Sequence, residues 1–157
     1  MDAEELPPGW AWATLGDVVL PSRGKLPPSP ESRLPFLGLE HIAANGRRPL
    51  GFGRFAEMRS AASQFQPGDV LYGRLRPYLN KVWKADRAGA ASAEFIVFPA
   101  NPNFDSDFLA LLLHGGHFVE FAKHAVYEHF QVQLAHTGDN RLIGLFVGAN
   151  AEGRVFF

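Results

Sequence analysis

Sixteen glycines and 12 prolines interrupt a chain of 157 residues, and that punctuation confines it to short elements joined by frequent loops. The apolar runs between these breaks fit strands at Val18–Leu20, Phe36–Leu39, Gly51–Phe55, Val70–Tyr72 and Phe95–Phe98, each bounded by Gly, Pro or charge. Trp10 and Trp12 alternate along a further strand, where packing accounts for them more readily than base stacking. The best helix starts at an Asp105 cap and runs through Phe108, Leu109, Leu111 and Leu112 until Gly115-Gly116 interrupts it. A second short helix then presents Phe118, Val119, Phe121 and Ala122. Ser60–Phe65 reads as another brief helix, and the proline-rich stretch from Pro21 to Pro35 as a surface loop inside the domain. The expected fold is a single mixed α/β (α+β) domain, strand-rich in the middle, with short helices.

Composition narrows the class. An apolar share of 46% with 20% charged residues is that of a folded globular chain. The absence of cysteine excludes disulfides and thiolate metal sites and fits a reducing, cytoplasmic setting. The acidic start, Met1 to Glu5 followed by Leu6-Pro7-Pro8, is not a secretory signal, and the aliphatic stretch Leu109–Leu113 is too short for a membrane span. The net charge of -1 conceals an asymmetry, for nine basic residues and three acids fall between Arg47 and Arg87. A segment so charged is either a solvated face or an electropositive surface for a polyanion.

Within that segment, Pro67-Gly68-Asp69-Val70-Leu71-Tyr72-Gly73-Arg74-Leu75-Arg76-Pro77-Tyr78-Leu79-Asn80-Lys81-Val82 combines a turn, a strand and a cluster of polar contacts. Gly68-Asp69 turns the chain into the strand, and Gly73 ends it or lets another backbone come close. Alternation on extended chain would send Arg74 and Arg76 to one side and Leu75 to the other, with Pro77 holding Arg76 extended. Two guanidiniums so placed suit phosphates or guanine edges. Tyr78 and Asn80 add a ring and an amide, and Lys81, Lys84, Arg47 and Arg48 add phosphate attraction. Equally open is a structural role, in which Arg74 or Arg76 pairs with Asp69 or Glu94 while Leu71, Leu75, Tyr78 and Leu79 fill the core.

The string GDVLYGRLRPYLNKV resembles the hallmark stretch of target-recognition domains in the DNA specificity subunits of type I restriction-modification enzymes. Flanking landmarks follow in the order of that family: Leu6-Pro7-Pro8-Gly9-Trp10-Ala11-Trp12 with Leu15-Gly16-Asp17-Val18, then Phe36–Ile42, then Ala91–Phe98, then the Asp105–Leu113 helix. The resemblance covers residues 6–126 and implies sequence-specific binding of double-stranded DNA, one half of a bipartite site. It implies methyltransferase and restriction subunits as partners, with catalysis and cofactors left to them. The chain itself is then expected to have no catalytic residue, no metal and no cofactor. After Val126 the family pattern stops, and residues 127–157 read as an atypical C-terminal tail without the long coiled-coil helices, as a truncated gene would leave.

Other chemistry was weighed on the same residues. His114, His117, Glu120 and His124 recur at helical spacing, as zinc ligands do, but Gly115-Gly116 breaks that helix and no HExxH motif occurs. Gly51-Phe52-Gly53-Arg54 is only a fragment of a phosphate loop, and Asp105 with Asp107 suits a helix start. A metal-dependent nuclease would instead bring Asp69, Glu94 and Lys81 together. A methyltransferase-binding remnant without DNA affinity is the third alternative.

Overall fold

In a computed structural model, residues 8–19, 24–102, 104–124, 131–136, 142–144, 148–149 and 155–156 are described. Met1 to Pro7, Leu20 to Arg23, Val126 and most of the stretch 127–157 singled out in the sequence lie outside them. In chain order the elements begin with β1 (Trp10–Thr14), α1 (Leu15–Val18), β2 (Lys25–Leu26), β3 (Pro35–Leu37), β4 (Gly53–Arg54) and β5 (Ala62–Phe65). There follow β6 (Val70–Gly73), β7 (Val82–Lys84), β8 (Gly89–Ala91), β9 (Phe95–Phe98), α2 (Ser106–His114) and α3 (Gly116–Ala122). Short strands β10 (Gln131–His136), β11 (Leu142–Gly144), β12 (Gly148–Ala149) and β13 (Val155–Phe156) close the chain. The class is mixed α/β, and among the described residues no helix is long and apolar enough to cross a membrane.

Three layers explain the sequence pattern. A three-stranded antiparallel sheet, in the order β7-β6-β9, lies at the centre. Along β6, Val70 and Tyr72 pack with Leu109, Leu112, Leu113 and Phe118 of the helices, while Leu71 packs with Leu37, Phe65, Trp83 and Val97 on the other side. Both faces of β6 are therefore covered, which is why its apolar run shows no alternation. The other side belongs to a five-stranded sheet, β2-β5-β8-β3-β4, in which only β3 and β8 run parallel. Gly89 lets that sheet pack tightly, since a Cβ there would sit 2.5 Å from Phe65 Cζ and 2.9 Å from the Pro35 carbonyl oxygen.

Three expectations are corrected. Ser60–Phe65 is not helical: Ala62–Phe65 is strand β5, pairing with β2 and β8 and burying Ala62 and Phe65. The strand expected from Val18 gives way to α1, because Thr14 and Asp17 close a capping box, with Asp17 accepting from both the backbone N–H and the hydroxyl of Thr14. Gly51–Phe55 yields only the two residues of β4 before a 3₁₀ turn at Phe55–Glu57. Asp105 caps α2 as expected, its Oδ1 accepting from the Phe108 N–H at 2.8 Å. Beyond α3, strand β10 pairs with β1 from Trp10↔Ala135 to Thr14↔Gln131.

Candidate nucleic-acid interface

The segment from Gly68 to Val82 begins as the sequence indicates. Gly68 takes a φ of +88°, and the buried Asp69 carboxylate accepts from the Gln66 and Ala100 backbone N–H groups at 2.9 Å each. Gly73 then admits a close neighbour: a Cβ there would lie 2.9 Å from Leu39 Cδ2 and 3.4 Å from the Lys81 carbonyl oxygen. Its N–H donates to that oxygen at 2.9 Å, which closes the loop of residues 74–81.

Inside the loop the backbone departs from expectation. Arg76 is left-handed (φ 54°, ψ 65°) rather than extended, and Pro77 opens a 3₁₀ turn over Pro77–Leu79. Asn80 ends the turn, again left-handed at φ 49°. Arg74, Leu75, Arg76 and Tyr78 all stand exposed, so Leu75 is not on a hidden opposite face. Neither arginine side chain has a hydrogen bond or ion pair among the described residues. Arg74 meets Glu94 only through its backbone N–H, and the Glu94 carboxylate accepts instead from the Ser92 hydroxyl. Of the apolar residues proposed for the core, Leu71 is buried and Leu79 half-buried, while Leu75 and Tyr78 are at the surface.

Two residues read as DNA contacts have other partners. Asn80 is 9% exposed and its Nδ2 donates to the His114 carbonyl at 3.0 Å, so its amide is not on the exposed face. Lys81 is half-buried and its Nζ donates to the Leu39 carbonyl at 2.6 Å. Both fasten the turn. Residues 43–49 lie alongside, held by Asn45 N–H to Leu79 O at 2.7 Å and by Val82 N–H to Gly46 O at 3.3 Å.

Beyond Gly46 this second loop turns its basic residues into an open groove of about 760 Å³ beside β7 and α2. Arg47 and Arg48 line it, both exposed, together with Lys84 and Arg87. Lys84 Nζ reaches Asp107 Oδ1 at 2.8 Å. Arg87 donates to Asp86 at 2.7 Å and lies 4.8 Å over the Phe52 ring, which packs on Trp83. The Arg87 hydrogen bond, aided by the charge of Arg48, holds the Asp86 carboxyl below its ordinary range. Arg87 closes the basic segment in sequence, and nothing in the sequence signals its place in the groove.

The residues of the enzyme alternatives do not assemble. Asp69 is buried in its turn and Lys81 is tied to Leu39. His114 contacts Asn45, Glu120 pairs with Lys123, and His124 stands exposed. Among the described residues no group of three His, Cys, Asp or Glu side chains is placed to hold a metal ion.

No family model matches the chain. In sequence it is similar to the type I restriction enzyme EcoDI specificity subunit of Escherichia coli, 28% identical over 123 residues, which are 76% of this chain and 27% of that protein. A shorter stretch of 38 residues is 58% identical to an uncharacterized 66.3 kDa protein in the hag2 5' region of Eikenella corrodens, covering 24% of this chain and 7% of that one. In fold it is similar to the HsdS subunit from Thermoanaerobacter tengcongensis, with a TM-score of 0.67, 25% identity, and coverage of 91% of this chain and 39% of the other. A chain from a structure of complex assembly and conformational transition in the type I R-M system gives the same TM-score of 0.67 at 24% identity, covering 90% and 39%. The chain thus spans 27% or less of these curated relatives and 39% of these solved chains.

Proposed function

We propose that this chain, which has the target-recognition fold of type I restriction-modification specificity subunits, binds duplex DNA sequence-specifically and reads one half of a bipartite site. One observation carries the reading: Arg74 and Arg76 stand exposed, with no side-chain partner among the described residues, on a loop whose backbone is fixed from beneath. Exposed cations without an internal partner have no existing bond to break on binding, and a fixed backbone leaves only their side-chain freedom to be lost. A guanidinium is moreover the group that bonds guanine O6 and N7 in pairs.

Arg47 and Arg48 extend this surface with phosphate contacts, and Tyr78 supplies a ring and a hydroxyl beside the arginines. Lys84 and Arg87 can join them, because their ion pairs are solvent-exposed and such pairs are weak enough to exchange for phosphate. On this reading the chain performs no chemistry, and adenine methylation and cleavage belong to methyltransferase and restriction subunits that it directs. Reconstitution with its own methyltransferase subunits tests the whole proposal. Methylation confined to one defined sequence is the expected result, and methylation that ignores sequence, or none, defeats it. Binding measured with Arg74→Ala plus Arg76→Ala tests the surface: affinity and its salt dependence must both fall.

A further inference from the structure

We infer that His114 is a positioning residue for this interface, holding the recognition turn and the arginine loop in one fixed relation and so controlling discrimination between DNA sequences. The inference rests on the DNA-binding reading above. His114 is the last residue of α2, followed by Gly115 at the C-cap. Carbonyls in the final turn of a helix have no N–H of their own helix to accept from. The His114 carbonyl instead accepts from Asn80 Nδ2 at 3.0 Å. Its ring Nε2 lies 3.0 Å from the Asn45 carbonyl oxygen, and since a carbonyl only accepts, Nε2 carries the proton.

The two asparagines gripped in this way are not ordinary loop residues. Among the described residues, the non-glycine positions with positive φ are Asn45, Arg76 and Asn80. Left-handed backbone is disfavoured for residues with a Cβ, least so for asparagine, and at Arg76 it persists only because the surroundings over-determine it. All three lie in the candidate interface, and His114 bonds two of them. Asn45 donates its backbone N–H to the Leu79 carbonyl at 2.7 Å, next to Asn80, so three hydrogen bonds close a ring through His114, Asn80, Leu79 and Asn45. On one arm of the ring follow Arg47 and Arg48, and the other arm ends the turn that carries Arg74 to Tyr78. The anchor is rigid: Leu112 and Leu113 just before His114 are buried, and Phe118 beyond it packs edge-on against Tyr72 at 5.3 Å. With the Nε2 proton on Asn45, the other nitrogen of the neutral His114 ring is an acceptor and gives phosphate no donor. Its effect on binding is therefore geometric, and geometry is what base reading needs and phosphate attraction does not.

The test uses the full chain and a duplex that the wild-type protein enriches from a random-sequence pool, compared with a scrambled duplex of equal length. For His114→Ala the ratio of the two affinities should fall by about tenfold, the scale of one base pair's discrimination, while the salt dependence of binding stays as in wild type. Hydrogen exchange at the Asn45 N–H should quicken in the same variant. His114→Gln, whose amide can still donate to the Asn45 carbonyl, should restore both properties. Asn80→Gly, which keeps the left-handed backbone and removes the amide, should repeat the alanine result and serves in its place if His114→Ala does not fold. Exchange and discrimination at wild-type values in these variants would overturn the inference. So would a parallel loss of affinity for both duplexes with a shallower salt dependence, since that marks a lost phosphate contact. If the wild-type chain enriches no duplex, the DNA reading fails, and the exchange rates still decide whether the ring of bonds fixes the loops.

Discussion

Lys81→Met separates two tasks that a cation beside DNA can have. The Lys81 ammonium is 2.6 Å from the Leu39 carbonyl oxygen, and the same residue's backbone carbonyl accepts from Gly73. Methionine keeps the length and apolar bulk of the stem and removes only the charge. A hydrogen bond from a charged group contributes about 1.5–3 kcal/mol net, and the partial exposure of Lys81 places its share near the lower end, about 1–2 kcal/mol. The midpoint of urea unfolding should therefore drop with an unchanged m-value. Binding followed by fluorescence anisotropy over a series of salt concentrations should keep its slope, because no phosphate contact is lost. Arg74→Ala plus Arg76→Ala should do the reverse, leaving the midpoint in place and flattening the slope by up to ~1.8, at ~0.9 per phosphate released. A Lys81→Met protein with unaltered stability and a slope flattened by ~0.9 would refute this division, for it would put the ammonium on DNA.

Tyr72→Phe should stabilise the protein by about 1 kcal/mol, since the buried hydroxyl has no partner among the described residues and its desolvation is uncompensated. The same substitution changes the alkaline limb. Burial pushes the Tyr72 phenol up to about 12 from an ordinary 10, so its contribution is full below pH 10 and is lost as pH rises through 12. Unfolding monitored by circular dichroism across that range should be less steep in the phenylalanine variant. Gly68→Ala forces a Cβ into backbone at φ +88° and within 3.3 Å of Ala100 Cβ. A loss of about 1–2 kcal/mol in chemical denaturation is expected for it. Asp105→Ala removes the acceptor for the Phe108 N–H and should cost about 1 kcal/mol, read by the same assay.

Local chemistry made much of the fold legible. The Asp105 cap, the glycine break and the apolar face of α2 are signals carried by residue type, and each lies where the structure has it. The same holds for β6, β9 and the close approach at Gly73. The Thr14-Leu15-Gly16-Asp17 capping box was readable too, and valines that favour strands obscured it. Ser60–Phe65 failed for a different reason: its helix-compatible residues are drawn into a sheet by β2 and β8, partners distant in sequence. At the site, the clustering of charge at Arg47, Arg48, Arg74 and Arg76 was legible, whereas the exposure of Arg74 and Arg76 was not, since pairing with Asp69 or Glu94 stood equally open. Nor was the left-handed Arg76, because arginine carries no signal for that backbone. Asn80 did carry one, since asparagine is the side chain that best tolerates positive φ, yet an amide amid arginines also reads as a base contact. His114 had only its sequence neighbours to speak for it, and its partners at Asn45 and Asn80 are joined by the fold alone.

What the fold adds to the charge pattern is a ranking of cations that look alike in sequence. Lys81 is bonded within the structure, and displacing it leaves the Leu39 carbonyl with only the Ile42 N–H at 3.3 Å as donor. Lys84 and Arg87 hold exposed carboxylates that water can serve equally well, so a phosphate can take them over at small cost. Arg47, Arg48, Arg74 and Arg76 have no side-chain hydrogen bond or ion pair to give up among the described residues. These four arginines stand on the two loops whose left-handed asparagines meet at His114. A solvated face would gain nothing from disfavoured backbone at three positions, because mobile cations attract phosphate as well as fixed ones do. On the proposed reading, a fixed loop backbone sets the arginines against a partner whose acceptors have fixed positions, and the edges of paired bases are such a partner.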